Sequence, residues 1–319
     1  MAEFRTYTAI GQREDLSNTI FNIAPTETPV VSSIGKTKAT ATYHEWQTDD
    51  LAAASASGLL EGADAAGASD TPTTRVGNRT QIQGKTVHIS GTLDSVDKAG
   101  RKTETAYQLA KAGQELKRDM EKTILGNVAQ NAGAAGTARL LGSIQSWLGT
   151  NFVTMTDGVA PVGANGTAAR TEGATASAFT EAKLKDVVKS CFENGGNPTL
   201  LVVPPTQKQV VSTFTGIAEQ RYQAPAAKAT TIIGAADVYL SDFGTLSVVP
   251  DRFMTADTTP DAEQALVLDP TMASVATLRP FESNLLAKTG DSEKHQMLVE
   301  YTLQVSNEKA HGIVADLAV

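Results

Sequence analysis

A chain of 319 residues can bury a large core, and its length predicts either two domains or one large domain with insertions. The formal charge of −8 excludes a protein that grips nucleic acid through a basic surface, though not one that merely surrounds it. Aromatics at 5% predict thin layers and extended arms, one cysteine excludes an internal disulfide, and the lack of an apolar leader or membrane span predicts a chain made in a reducing cytoplasm and kept out of membranes.

Residues 1–38 hold too little apolar content for a core of their own. Residues 16–23 (LSNTIFNI) and 30–34 (VVSSI) read as short anchors, Asp15 as the cap of one helical turn, and Pro25 and Pro29 as stops. An arm of this kind suits lying across another surface; the alternative is a terminus packed back on its own domain. Residues 39–48 (ATATYHEWQT) alternate as a strand in a thin ribbon. Residues 49–74 then lose nearly all aliphatic content, and Asp49, Asp50, Glu61, Asp64 and Asp70 stand there with no basic residue among them. Such a segment cannot offset the entropy of ordering from its own contacts, so it is either mobile or held by a partner. Residues 80–93 return as strand on Ile82, Val87 and Ile89, and the two strands are expected to form the arms of a long projecting hairpin.

Residues 102–126 form the longest helical stretch, a rod of roughly 35 Å at about 1.5 Å per residue. Leu109, Leu116, Met120 and Ile124 make its apolar stripe, with Lys111, Glu115, Lys117, Arg118, Glu121 and Lys122 mostly off it. Thr103 is the expected start and Gly126 a left-handed stop, while Lys117 and Glu121 are spaced for an ion pair. Gly113 in mid-helix reads either as the close approach of a strand or neighbouring chain, or as a bland surface glycine.

Residues 139–148 are expected to form a short helix that holds Leu140, Leu141, Ile144 and Trp147 against the core, and 149–176 a long loop, functional or disordered. Phe179, Thr180 and Leu184 match a hydrophobic staple and cap, opening a helix striped with Val187, Val188, Cys191 and Phe192. Residues 200–203 (LLVV) read as a strand covered on both faces, Thr206 and Gln209 as a capping box, and 237–250 with 265–268 as further strands. Met297, Val299, Tyr301, Leu303 and Val305 then alternate with polar residues over a long strand, with residues 274–278 expected in the same sheet. The fold class is α+β, with a body that the chain leaves near residue 179 and re-enters near 270.

Catalytic patterns are missing. Gly84-Lys85-Thr86 lacks the first glycine of a phosphate loop, since that position is Arg79, and Thr86 leads into a strand. Cys191 sits in an apolar stripe without a nearby histidine, and His44, His88, His295 and His311 have no metal-ligand spacing. No enzyme activity, cofactor or metal is expected.

Three segments carry a resemblance: TYTAIGQREDLSNTIFNIAPTETPVVSSIGK at 6–36, AYQLAKAGQELKRDMEKTILGN at 106–127 and LRPFESNLLAKTGDSEKHQMLVEYTLQVSNEKAHGIV at 278–314. In this combination and order the chain resembles the major head proteins of tailed bacteriophages with the Hong Kong 97-like capsid fold. The resemblance implies a virion protein that assembles in the bacterial host cytoplasm as hexamers and pentamers of an icosahedral shell around double-stranded DNA. It implies an N-arm at 1–38, an extended loop at 39–96, a peripheral domain at 97–178 and 270–319 containing the spine helix, and an axial domain at 179–269. A portal, a separate scaffolding protein and an optional decoration protein are the implied partners. Some relatives crosslink a lysine to an asparagine; Lys85 lies in the matching loop, yet no asparagine partner stands out and no crosslink is expected. The alternative is an encapsulin-like compartment shell or a tail component. The predicted assembly surface sets Asp49, Asp50, Glu61 and Asp64 of one copy against Lys111, Lys117, Arg118 and Lys122 of the next.

Overall fold

The computed structural model describes residues 24–58, 60–62, 64, 72–154, 157–214, 237–254 and 262–318. Its longest helix, α3 (Glu104–Leu125), starts after Thr103 as expected and buries Ala112, Leu116, Met120, Ile124 and Leu125. The stripe lies over a four-stranded sheet ordered β1-β10-β11-β4, built from β1 (Gly35–Lys38), β10 (Ala273–Leu285), β11 (Ser292–Val305) and β4 (Gln81–Ser90). Val299, Tyr301, Leu303 and Val305 bury the inner face of β11, in the predicted phase. The opposite face is not simply wet: Glu300 is buried, accepting from Thr80 Oγ1 at 2.8 Å and Arg279 Nε at 2.9 Å and pairing with Arg139. Leu116 is completely buried. Leu116→Ala is therefore expected to lower stability by about 2–5 kcal/mol in urea unfolding, and a loss below about 1 kcal/mol would show that the helix repacks around the deletion.

Three expectations about this helix change. Gly126 has φ −63° and ψ −178°, so the stop is extended rather than left-handed, and the carbonyl of Leu125 is satisfied by Gln145 Nε2 at 2.6 Å. Glu121 is buried rather than paired with Lys117 on the surface. Gly113 faces a strand of its own chain: a Cβ there would sit 3.6 Å from Met297 Sδ, an ordinary contact distance.

The predicted hairpin is re-paired. β2 (Tyr43–Thr48) is antiparallel to β3 (Thr74–Arg79), with Tyr43 opposite Arg79 and Thr48 opposite Thr74. The stretch read as the returning arm is β4 as far as Ser90, with 91–93 opening the short helix α2 (Gly91–Ser95), and β4 instead runs antiparallel to β11, Lys85 opposite Met297. The reason is one of phase: Val87 and Ile89 turn inward while Ile82 is half exposed, so β4 presents one buried face to the body. Leu298, the apolar residue on the polar face of β11, lies over Gly84, where a Cβ would come within 2.5 Å of it.

A second sheet, ordered β5-β12-β9-β6-β8-β7, holds β5 (Phe152–Val153), β12 (Gly312–Ala318), β9 (Ala262–Leu268), β6 (Leu200–Val203), β8 (Gly244–Pro250) and β7 (Val238–Ser241). β12 pairs with β9, Gly312 opposite Val267, so the chain end belongs to this sheet and the expected division at 269/270 does not separate the two sheets. Helix α4 (Glu181–Glu193) packs on it with Thr180 Oγ1 accepting from Lys183 N–H at 3.5 Å and Phe179 and Leu184 buried, as read. Phe192 departs from the expected stripe: it is exposed and stacks on Phe243 at 4.8 Å. Helix α5 (Pro205–Val211) starts one residue earlier than the predicted cap, and Thr206 donates to Glu263 instead of capping. Cys191 is buried and burial pushes its thiol up to about 12, which fits an inert core residue.

Residues 139–148 are extended apart from a 3-10 turn at Ile144–Ser146. Their N–H groups serve other elements: Leu141 donates to Gln81 Oε1 at 3.2 Å, Gly142 to Asn78 Oδ1 at 2.8 Å and Ser143 to the Val128 carbonyl at 3.0 Å. Leu141, Ile144 and Trp147 are still buried, while Leu140 is half-buried. In the long loop that follows, the Arg170 guanidinium meets Asp316 of β12 at 3.1 Å, which ties the loop to the second sheet at this point. Helix α1 (Pro29–Ser33) and β1 carry the described end of the arm back onto the body: Val30 and Ile34 enter the main core, and β1 runs parallel to β10. The anchors at 16–23 lie outside the described residues.

Candidate assembly surface

The β2–β3 ribbon is rooted firmly and bare at its tip. Asn78 is fully buried and donates to the carbonyls of Gly142 at 2.9 Å and Leu303 at 2.8 Å, which ties the ribbon to both the 139–148 segment and β11. Gly77 allows the partner strand to close in, since a Cβ there would meet the His44 carbonyl at 2.7 Å. Trp46 stacks on buried Trp147 at 5.3 Å, His44 Nε2 bonds to Gln304 Oε1 at 3.1 Å, and the Arg79 guanidinium lies 4.3 Å from the centre of the Tyr43 ring. Beyond Thr48 this support stops.

Asp49, Asp50, Glu61 and Asp64 are all exposed, and Asp70 lies outside the described residues. Leu51 is 99% and Leu60 83% exposed, values that leave both side chains with essentially no packing on their own chain. Asp50 departs from the expected pattern, because its Oδ2 lies 2.7 Å from Lys309 Nζ of the same chain. Both side chains are partly solvated, so this pair contributes about 0–1 kcal/mol and orients the start of the tip rather than fixing it.

The four helix cations divide between two places. Lys111 is exposed and lies 3.9 Å from Glu115, one helical turn along. Lys117 is exposed, whereas Arg118 is half-buried with its guanidinium 5.5 Å from the Phe253 ring centre, so its charge is spent on the second sheet's unit rather than displayed. Lys122 is exposed at the rim of a cleft of about 920 Å³ between α3, β4 and the second sheet. The same cleft gathers Lys85, which pairs with Asp119 at 2.9 Å, and Arg170, over a floor that includes Leu125, Phe253 and Met254. Lys85 is separated in sequence from α3 and is brought to this cleft only by the pairing of β4 with β11, while Arg170 lies buried in its wall, paired with Glu172 and Asp316. No group of three or more histidine, cysteine or carboxylate ligands is placed to hold a metal among the described residues. His311, buried beside the 3-10 turn at Glu308–Ala310, accepts from Asp269 N–H through Nδ1 at 3.1 Å, and burial lowers its pKa to about 4, which makes it a neutral structural link.

The chain as a whole is similar to known shell proteins. A curated major capsid protein of Escherichia phage Phieco32 is 38% identical over 128 residues, which is 40% of this chain and 36% of that relative. Among solved structures, a Gordonia phage Cozz chain superposes with a TM-score of 0.61 at 13% identity, covering 97% of this chain and 92% of its own. An encapsulin complex of Synechococcus elongatus superposes at 0.56 and 10% identity, covering 96% and 92%. At such identities the superpositions show a shared fold, which phage heads and encapsulins have in common. The SU10 major capsid protein family model, by contrast, matches residues 4–318. By that match over almost its whole length, the chain belongs to the SU10 major capsid protein family, structural proteins of the phage capsid with the Hong Kong 97-like fold.

Proposed function

We propose that this major capsid protein closes an icosahedral head shell around double-stranded DNA by laying its hairpin tip over the neighbouring copy. One observation carries the reading: a rigidly rooted ribbon ends in a tip whose Leu51 and Leu60 are 99% and 83% exposed among four described acidic residues. Two leucines this exposed on an acidic stalk leave apolar area that a neighbouring copy can bury. The complementary surface is the neighbour's α3 with its adjoining cleft, where Lys111, Lys117, Lys122 and Lys85 carry positive charge and half-buried Phe253 offers apolar contact. Charge sets register and rate of encounter in such a contact, and the leucines supply most of its stability.

In this arrangement α3 is the spine helix of a peripheral domain, the second sheet belongs to the axial domain that meets its copies around each hexamer or pentamer, and residues 24–38 are the inner part of the N-arm. A portal, a separate scaffolding protein and, where present, a decoration protein complete the head. The chain's net charge of −8 keeps the wall from clamping the packaged DNA. An electron cryomicroscopy reconstruction of DNA-filled heads tests the reading: residues 49–64 are expected within van der Waals reach of a neighbour's α3 or cleft. Contacts confined to their own chain would end it.

A further inference from the structure

Two carboxyl groups are buried against each other where α1 docks on α3. Glu121 of α3 is completely buried and Asp251, just after β8, is 1% exposed. The two Glu121 oxygens accept the N–H groups of Val30 at 2.6 Å and Val31 at 2.9 Å, so this side chain is the polar attachment of α1 to the body. Asp251 is fixed independently: its N–H donates to the Val203 carbonyl at 2.9 Å and its Oδ1 accepts from Phe253 N–H at 2.7 Å. Its Oδ2 is buried without a hydrogen-bond partner among the described groups. A proton on Glu121 directed at Asp251 supplies that partner, and two carboxylates this close and this dry do not both ionise.

We propose that Glu121 and Asp251 share one proton as a latch, which ties α1 to the long helix and to the second sheet and whose loss releases α1 from the body. Burial, then the Asp251 carboxyl, raises Glu121 to about 8, and burial raises Asp251 as well. A carboxyl held above its ordinary value stabilises the folded junction fully at acid pH, and that contribution is lost as pH rises through the raised value. The latch is therefore fully closed in acid, weakens progressively from the ordinary carboxyl value upward and loses the whole contribution by about pH 8. Lys117, Arg118 and Lys122 on α3, Arg252 beside Asp251, Glu27 ahead of α1 and Glu263 on β9 are the nearby charged groups, and Asp251 is the charge that acts on Glu121. α1 itself, β6 and β8 carry no charged residue. Val30 and Ile34 remain as apolar anchors, so release means local opening and not loss of the fold. The latch acts within one subunit and holds whether or not the hairpin tip binds a neighbour.

Hydrogen exchange of the full-length chain, corrected for the intrinsic pH dependence of exchange, reads the latch directly at the Val30 and Val31 amides. Between about pH 5 and pH 8 the wild-type opening constant is expected to rise by up to about tenfold per pH unit and to level off above about pH 8. Glu121→Gln, which stays neutral, is expected to flatten that rise, and Asp251→Asn, which removes the second charge but leaves Glu121 buried, to end it at lower pH. A flat wild-type profile over this range overturns the proposal, as does either folded variant following the wild-type rise. The wild-type measurement decides alone if both variants fail to fold.

Discussion

Arg170→Met is expected to destabilise the subunit by about 3–5 kcal/mol, because it strands a buried carboxylate. Arg170 and Asp316 are 1% and 0% exposed at their side chains and meet at 3.1 Å. Arg170 Nε also donates to Gln145 Oε1 at 2.7 Å, and Asp316 accepts from Thr154 Oγ1. Asp316 sits where the β12–β9 register shifts, with φ at +55°, a conformation that aspartate and asparagine tolerate better than most residues. The pair therefore joins the long loop, the segment after α3 and the irregular end of β12. Without the guanidinium, Asp316 keeps one hydroxyl donor among the described residues, in a site closed to water. Asp316→Asn preserves the backbone and removes the charge, so the double variant Arg170→Met with Asp316→Asn should recover part of the loss. Urea unfolding of the soluble subunit checks both statements: a single-variant loss within about 1 kcal/mol of wild type would mean that water reaches Asp316. A double variant no better than the single would mean that the charge is not what matters.

Elements whose burial repeats along the chain were legible in the sequence. The stripe of Leu116, Met120 and Ile124 and the alternation from Val299 to Val305 each follow from one period, and both stand as read. Choice of sheet partner was not legible, because it is settled between distant segments. Nothing local to residues 81–90 says that β11 rather than β2 will receive them, and nothing near Gly312 says that β12 will return to β9. Glu121 was misplaced for a related reason. It was counted with the wet residues for its charge, although Ile124 and Leu125 at three and four residues on widen the apolar face past it. Its partners are 90 or more residues away, at Val30, Val31 and Asp251. At the proposed assembly surface the acidic tip could be read from composition alone, while the contributions of Lys85 and Arg170 to the cleft required the fold.

Deleting residues 51–70 is expected to abolish or misdirect shell assembly while leaving the subunit folded. The ribbon keeps its roots in such a variant, since Asn78, Trp46 and Gly77 all lie outside the deletion and make their contacts with the body or with each other's strand. None of the described residues of the removed segment belongs to either core, and Leu51 and Leu60 are exposed. Stability of the isolated subunit should thus stay within about 0.5 kcal/mol of wild type, as for surface changes generally. Assembly multiplies a small contact over every subunit of a closed shell, so losing even a few kcal/mol per interface removes the particle. Charge and apolar contact separate by substitution. Neutralising Asp49, Glu61 and Asp64 to asparagine or glutamine should slow assembly most at low salt, where the Debye length is longest, and leave finished shells largely intact. Leu51→Ser with Leu60→Ser should weaken finished shells at any salt, because burial of side chains is little screened. Sedimentation and negative-stain imaging of particles, beside unfolding curves of the subunits, give both readouts. Normal yields of closed shells from the deletion variant would show that the tip has no part in holding copies together.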